Sequence, residues 1–416
     1  MIKESDRVFT NIDGRLGGSS LSEARKRGCW GKTAEYLKKT PRELLEEISR
    51  SNLRGRGLFA RKTADKWAAF IKRPSAFKYL VVSANESEPG TCKARNILRY
   101  EAHRLLEGCL IASYICGIRR AYIFVRGAFA EETEILEKAI AEAKEAGLLG
   151  LNVLRTGVDL HVAVHRGAEA YVCRSDTAMF RAMEGFRPMP DFRPDAYSLF
   201  SGSVLVHGME TLCMLPSVLE RGAAWFSSLG RADNEGVRLF SVSGDVKRPC
   251  LVEETLGVPM RDLIDKYAGG VIGGWDNLQA VIPGGVSTPA LPAAICEHVR
   301  MDYDALESVS SSVGTGGLIV IGKSADFVGI LKKIAFFFMN ESCGECAPCR
   351  EGCRLMYSLI DRIASGKGFV SDVDELESLC RDAEHTALCP VGISAVRAVS
   401  GFLRHFRFLL EERCRG

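Results

Sequence analysis

What this 416-residue chain lacks closes several classes of function at once. Charge of one sign is not in excess. The 55 Lys+Arg against 52 Asp+Glu leave a net charge of +3, and no basic run is long enough to suggest nucleic acid. Apolar runs of membrane-spanning length are missing too. The most tempting one, Ile330–Met339, is short and broken by Lys332 and Lys333. The opening MIKESDRV mixes acid with base and leads into polar sequence, so no secretory leader is expected. No G-x-G-x-x-G follows an expected strand, which removes the ordinary dinucleotide fingerprint. The 7 histidines show no paired ligand spacing, so they offer no metal site, and His165 and His207 read as structural.

Cysteine, by contrast, is plentiful: 15 residues, an odd number and high for this length. Cys343, Cys346, Cys349, Cys353, Cys380 and Cys389 fall in one short window, while the rest are scattered like buried thiols in a reducing compartment. Cys343, Cys346 and Cys349 form C-x2-C-x2-C inside ESCGECAPCREGC (341–353). Gaps of two residues let one turning loop aim three thiolates at one centre, as iron–sulfur clusters require. Zinc sites usually place two ligands together and two at a distance, so this spacing favours a cluster. The fourth ligand has three candidates. Cys353 completes a ferredoxin-like C-x3-C step but is followed by Arg354 where proline is usual, and no second set of three cysteines exists. Cys380 reads as part of a helix. Cys389 precedes Pro390 at a break between helices, and spacing leans toward it.

Along the chain, Thr40-Pro41-Arg42-Glu43 is a helix start, with cap, first-turn proline and a glutamate three residues on. The helix is expected to run through Leu44, Leu45 and Ile48 and to stop near Ser51-Asn52. A basic loop follows, Leu53-Arg54-Gly55-Arg56-Gly57, with Lys66-Trp67 beyond it. Glycine N–H groups and positive charge there suit a phosphate, although an ordinary turn reads the same way. Short apolar runs at 80–84, 121–125 and 160–164 alternate with helical patterns at 100–118 and 131–146, the signature of βαβ units on a parallel sheet. In such sheets ligands sit beyond the carboxyl ends of the strands, where Ser83–Gly90 lies with its acidic turn Glu86-Ser87-Glu88. From Gly236 the texture becomes a small α+β unit, with strands at 237–243, 250–254 and 316–321 and a short helix at 260–267. From Asp326 onward the pattern is helical, at 327–340, 351–365, 372–383 and 393–412, a small bundle around the cysteine loop. The expected class is therefore α/β, divided at 1–235, 236–325 and 326–416.

Several motifs resemble the NADH-binding flavoprotein subunit of respiratory complex I over nearly the whole chain. They include DRVFTN (6–11), LRGRG (53–57), Lys66-Trp67, ESEPGT (86–91), AYVC (170–173), AGGVIGGWDNLQAVIPGGVSTP (268–289), ESCGECAPCREG (341–352) and RHFR (404–407). The resemblance implies a Rossmann-like flavin domain, a β-grasp (ubiquitin-like) domain and a four-helix cluster domain. It also implies the reaction, in which NADH gives a hydride to FMN and electrons pass to a 4Fe–4S cluster. It assigns Cys343, Cys346, Cys349 and Cys389 as cluster ligands, because His385-Thr386-Ala387-Leu388-Cys389 is similar to the family's remote-cysteine segment. One residue is inserted there, and Pro390 is unusual. By the same matching, Gly55, Arg56, Gly57, Lys66, Asn85, Glu86 and Ser87 fall at the flavin site and Glu88 at the NADH site. The implied partners are a thioredoxin-like 2Fe–2S subunit and a large iron–sulfur subunit. The implied location is the matrix side of the mitochondrial inner membrane, with no transmembrane segment.

Departures from the family gather where flavin and nucleotide should bind. After LRGRG this chain has Leu58-Phe59-Ala60-Arg61-Lys62 in place of glycines and a Phe-Pro pair. The family's Asn-Ala-Asp becomes Ser83-Ala84-Asn85, and its Cys-Gly-Glu-Glu becomes Cys173-Arg174-Ser175-Asp176, with two carboxylates lost. A Lys-Pro-Pro-Phe-Pro segment is altered around 191–194, and an asparagine pattern before Glu210-Thr211 becomes His207-Gly208. Two readings of activity follow: an NADH-oxidising subunit, or a non-catalytic paralogue that keeps the cluster and an assembly role. A diaphorase subunit of a soluble hydrogenase or formate dehydrogenase ranks below both, because the chain has no extra ferredoxin-like or thioredoxin-like module.

Overall fold

The computed structural model describes residues 1–57, 60–193 and 197–415. The altered loops at 58–62 and 191–194 fall partly outside these, at Leu58, Phe59 and Pro194. The first helix with a full apolar face, Pro41–Arg50, starts as the sequence dictates. Thr40 and Glu43 cap each other's backbone N–H groups, and Leu44 and Ile48 turn inward.

A six-stranded sheet follows, built from β1 (Lys78–Ala84), β2 (Arg120–Val125), β3 (Gly150–Val153), β4 (Val158–Arg166), β5 (Ser198–Leu199) and β6 (Gly202–Gly208), in the order β3-β4-β2-β1-β6-β5. The four central strands β4, β2, β1 and β6 are parallel, and β3 and β5 close the edges antiparallel. Strand β1 is apolar and buried along almost its whole length, as a strand covered on both faces must be. Helices Ala102–Cys116 and Met209–Arg221 pack so closely that a Cβ on Gly108 would stand 2.1 Å from the Leu212 carbonyl oxygen, so only glycine fits.

The helix expected over 100–118 is two helices, Lys93–Tyr100 and Ala102–Cys116. Glu101 leaves helical geometry between them (φ −125°). Its buried carboxylate accepts from the Asn11 N–H and from Arg104 Nε, and so anchors the N-terminal segment at the break.

A two-stranded ribbon, β7 (Gly230–Arg231) with β8 (Asn234–Glu235), leads into a five-stranded sheet. That sheet contains β9 (Val237–Gly244), β10 (Cys250–Thr255), β11 (Leu278–Ile282), β12 (Leu291–Pro292) and β13 (Gly317–Gly322), in the order β10-β9-β13-β11-β12. The short helix expected at 260–267 begins as α-helix at Met260–Asp262 and continues as a π turn over Leu263–Tyr267. Helices Phe327–Glu341, Gly352–Ala364, Val370–Thr386 and Pro390–Glu411 then pack around one apolar core that includes Cys349, Cys353, Cys380 and Cys389. The chain is thus mixed α/β with a parallel sheet and a helical C-terminal region.

Two arginines tie the loop at 54–56 to β8, β9 and the turn at Gly314. Buried Arg56 donates from its guanidinium to the carbonyls of Arg54, Glu235 and Val237. Arg238, fully buried, donates to the carbonyls of Arg56 and Gly314.

Candidate functional site

The cysteine loop hangs between the ends of two helices. Helix Phe327–Glu341 delivers Cys343. A four-residue turn of helix, Ala347–Arg350, carries Cys349, and Cys346 precedes it. Cys389 is the residue before the last helix, with Pro390 in the first turn, where its missing N–H costs nothing. The N–H groups of Val391 and Gly392 point back at the Cys389 sulfur and counter the effect of burial, which raises that thiol. A thiolate at a helix N-terminus is favoured by those N–H groups. The last helix also abuts the loop: a Cβ built on Gly392 would lie 3.9 Å from the Cys349 sulfur.

Cys349 and Cys389 are buried, while Cys343 and Cys346 are half-buried. All 15 cysteines are free thiols. Among the described residues no three ligand-type side chains are drawn tightly enough to hold a single metal ion. A four-iron cube spaces its thiolates more widely than one ion does, and an apolar pocket of free thiols at a helix terminus fits that donor set. Of the other candidates, Cys380 faces the Met356 sulfur inside the bundle, and Cys353 lies beside Cys349.

At the carboxyl end of β1 the predicted flavin residues divide. Glu86 is spent on structure, because its carboxylate accepts from the N–H groups of Ala94 and Arg95 at the start of helix Lys93–Tyr100. The Arg56 guanidinium is spent in the same way, and so are two N–H groups of the loop, Gly55 donating to the Arg61 carbonyl and Arg56 to Thr211 Oγ1. Lys66 donates to the Val206 carbonyl at 2.5 Å, and burial lowers its ammonium below the usual lysine value. Asn85 donates to the Ala170 carbonyl, yet its Oδ1 is buried with no partner, and so is Ser87 Oγ. Buried polar atoms left unpaired beyond a strand end are what a bound polar ligand would satisfy. On this observation the residues fit a flavin.

Glu88, the residue expected at the NADH site, is placed differently. Glu88, only 4% exposed, accepts from the Tyr171 hydroxyl at 2.7 Å and the Ser287 N–H at 2.7 Å, and it forms an ion pair with Arg174. Arg174 also donates to the Tyr171 hydroxyl at 2.5 Å and lies over that ring, 4.8 Å from its centroid. Burial pulls the Arg174 guanidinium down to about 10. The residue that stands where the family has small and acidic residues thus fills the space and saturates the carboxylate.

Three sets of contacts were not anticipated from the sequence. Lys93 pairs with Glu210, whose other oxygen accepts from the Leu239 N–H. Trp67 Nε1 donates to His207 Nε2 at 2.6 Å, which confirms His207 as structural and holds it neutral. Tyr171 joins the two halves of the site: its N–H donates to Glu341, just before the cysteine loop, and its ring packs against Phe337 and Phe338. Only the AYVC motif hinted at it.

Comparison with known proteins fits this geometry. Residues 48–217 match the Nuo51 FMN-binding domain, residues 238–320 an SLBB domain, and residues 329–413 the NADH-ubiquinone oxidoreductase-F iron–sulfur binding region. The NADH-quinone oxidoreductase F subunit of Rickettsia felis is 43% identical over 419 residues, covering 100% of this chain and 99% of that protein. The Rickettsia bellii (strain OSU 85-389) protein is 42% identical over 416 residues, covering 99% of this chain and 100% of its own. The chain belongs to the family of NADH-quinone oxidoreductase F subunits. It therefore carries that family's FMN domain and 4Fe–4S region, with NADH as the corresponding substrate. A chain of an NAD+-reducing NiFe-hydrogenase in the H2-reduced state superposes with TM-score 0.82 at 29% identity, over 91% of this chain. This chain spans 63% of that hydrogenase chain. The two Rickettsia relatives are bacterial, so they give no support to the mitochondrial location expected from the resemblance. No helix among the described residues is long and apolar enough to cross a membrane.

Proposed function

We propose that this chain acts as the electron-input subunit of a multisubunit NADH-quinone oxidoreductase, with its cluster held by Cys343, Cys346, Cys349 and Cys389. FMN, when bound, supplies the conversion of a two-electron hydride donor into single electrons that an iron–sulfur cluster carries onward. The chain's own part is positional. Asn85 Oδ1 and Ser87 Oγ offer unpaired polar atoms to the flavin, while Gly55, Arg56, Gly57 and Lys66 belong to the frame around it, with the Gly55 and Arg56 N–H groups and the Lys66 ammonium bonded within the chain. Glu86 holds the helix start that keeps this turn in place, and Glu88 addresses the nicotinamide nucleotide once Arg174 is displaced. The thiolates must be deprotonated to bind iron, and the N–H groups at the head of the last helix favour that at Cys389.

The observation that carries this reading is the meeting of the C-x2-C-x2-C loop with Cys389 at a helix N-terminus, in one apolar core. The domain limits we adopt are 1–235, 236–325 and 326–416. We place the chain as a peripheral subunit whose neighbours are a thioredoxin-like 2Fe–2S subunit and a large iron–sulfur subunit.

One observation favours a second reading, a non-catalytic paralogue. The Arg174–Glu88 pair closes the nucleotide side with the chain's own atoms. Flavin absorbance and extracted FMN in the purified assembly separate the two. Stoichiometric FMN bleached by NADH sinks the paralogue, whereas an intact cluster without flavin sinks the enzyme. Paramagnetic resonance of the reduced protein should show a 4Fe–4S signal.

A further inference from the structure

Cys353 stands one helical turn beyond Cys349, and their sulfurs lie 3.9 Å apart. The two side chains are buried to a similar degree, Cys349 3% and Cys353 2% exposed. The family resemblance leaves Cys353 without a role. Residues four apart lie on the same helical face, so both thiols look the same way. Cys353 lies in the same buried cluster as Cys349 and Cys389, against which Cys343 and Cys346 pack, so it is inside the pocket of the expected ligands. The separation is too long for a disulfide, whose sulfurs are about 2 Å apart. It is too short for two thiolates bound to different corners of a four-iron cube. Side by side, the pair addresses one iron.

We propose that Cys349 and Cys353 are alternative thiolate donors to the same iron of the 4Fe–4S cluster, so that Cys353 takes the ligand position when Cys349 is lost or modified. This rests on the cluster reading given above. The exchange is redox-neutral. The Cys353 S–H bond breaks and its proton goes to solvent, an Fe–S bond forms to Cys353, and the departing Cys349 thiolate takes up a proton. Cluster charge and thiolate number stay the same. Glu351 joins the turn Ala347–Arg350 to the helix Gly352–Ala364 in helical geometry, which keeps the two thiols on one face. Cys389 has no comparable understudy, since residues 390–393 contain no cysteine.

The test uses the full-length chain reconstituted with iron and sulfide, reading iron and acid-labile sulfide per chain and the paramagnetic resonance of the reduced form. Cys353→Ala should leave content and spectrum as in the wild type. Cys349→Ala should keep most of its iron but show shifted resonance positions. Cys349→Ala/Cys353→Ala and Cys389→Ala should both lose the cluster. Far-UV circular dichroism checks folding, and Cys349→Ser repeats the measurement should the alanine variant fail to fold. A folded Cys349→Ala that loses iron as completely as the double variant overturns the proposal, as does a double variant that keeps its cluster. A wild-type chain that takes up no cluster overturns the cluster reading itself, and this inference with it.

Discussion

Arg174→Met removes the guanidinium that holds Glu88 while leaving a long unbranched side chain in its place. Three contacts go: the ion pair to Glu88, the 2.5 Å bond to the Tyr171 hydroxyl, and the contact over the Tyr171 ring. Deleting one partner of a buried pair costs about 3–5 kcal/mol when the other charge is left alone. Glu88 is not left alone, because the Tyr171 hydroxyl and the Ser287 N–H still donate to it at 2.7 Å each. Hydrogen bonds to a charged group contribute about 1.5–3 kcal/mol apiece, so the net destabilisation should be smaller, about 1–2 kcal/mol. The same quantity bears on binding. A nucleotide that uses Glu88 must first displace Arg174, and the free energy of the pair is subtracted from its affinity. At about 1.4 kcal/mol per tenfold, removing the pair should tighten NADH binding about 5- to 30-fold. Titration calorimetry gives the dissociation constant on the full chain, and the KM for NADH with ferricyanide as acceptor gives it in the assembled complex. A variant whose stability falls while Kd and KM stay put, or weaken, would refute the idea that this pair restrains the site.

Other perturbations report on the frame and its charges. Arg56→Met removes a donor from three carbonyls, two of them in buried bonds, and should cost about 3 kcal/mol, read as a lower urea midpoint. His207, buried and beside Lys66, is held well below its ordinary 6.5. Its stabilising contribution is therefore complete above pH 6.5 and lost as pH falls below that, at up to about 1.4 kcal/mol per unit. His207→Gln should flatten the acid limb of the stability–pH curve relative to the wild type. Glu253 runs the other way: burial raises it from 4.5 to about 7, although it accepts from the Val8 and Phe9 N–H groups. Between those values the folded chain holds a proton that the unfolded chain has shed, so stability falls as pH rises through that window, and Glu253→Gln should remove the fall.

What could be read from sequence was what local chemistry determines. The Thr40–Glu43 cap, the apolar runs of β1, β2 and β4, and the short-gapped cysteines each state their structure within a few residues. Strand β6, Gly202–Gly208, went unread although it lies beside β1, because a short run between glycines carries no period to distinguish it. The break at Glu101 was hidden too, since a glutamate inside a helical pattern gives no sign that Asn11 will claim its carboxylate. The nucleotide side was legible only as a difference from the family. That Arg174 stands where small and acidic residues are usual could be seen; that it reaches Glu88, 86 positions earlier by number, needs β1, the turn at 171–174 and the loop at Ser287 in one place. Spacing alone also kept Cys353, Cys380 and Cys389 in competition; the fold puts Cys353 beside Cys349, Cys380 against Met356 and Cys389 at a helix N-terminus.

Tyr171 puts a constraint on the history of such a chain. Its hydroxyl serves Glu88, its N–H is held by Glu341 at the root of the cysteine loop, and its ring rests on Phe337 and Phe338 of the helix that delivers Cys343. The proposed nucleotide site and the cysteine loop thus lean on one aromatic wedge. Substitutions can accumulate around Glu88 so long as that wedge is kept seated, as Arg174 keeps it from above. A chain can drift far at its donor side and still present an orderly acceptor, because the part that drifts and the part that stays are divided by a single side chain.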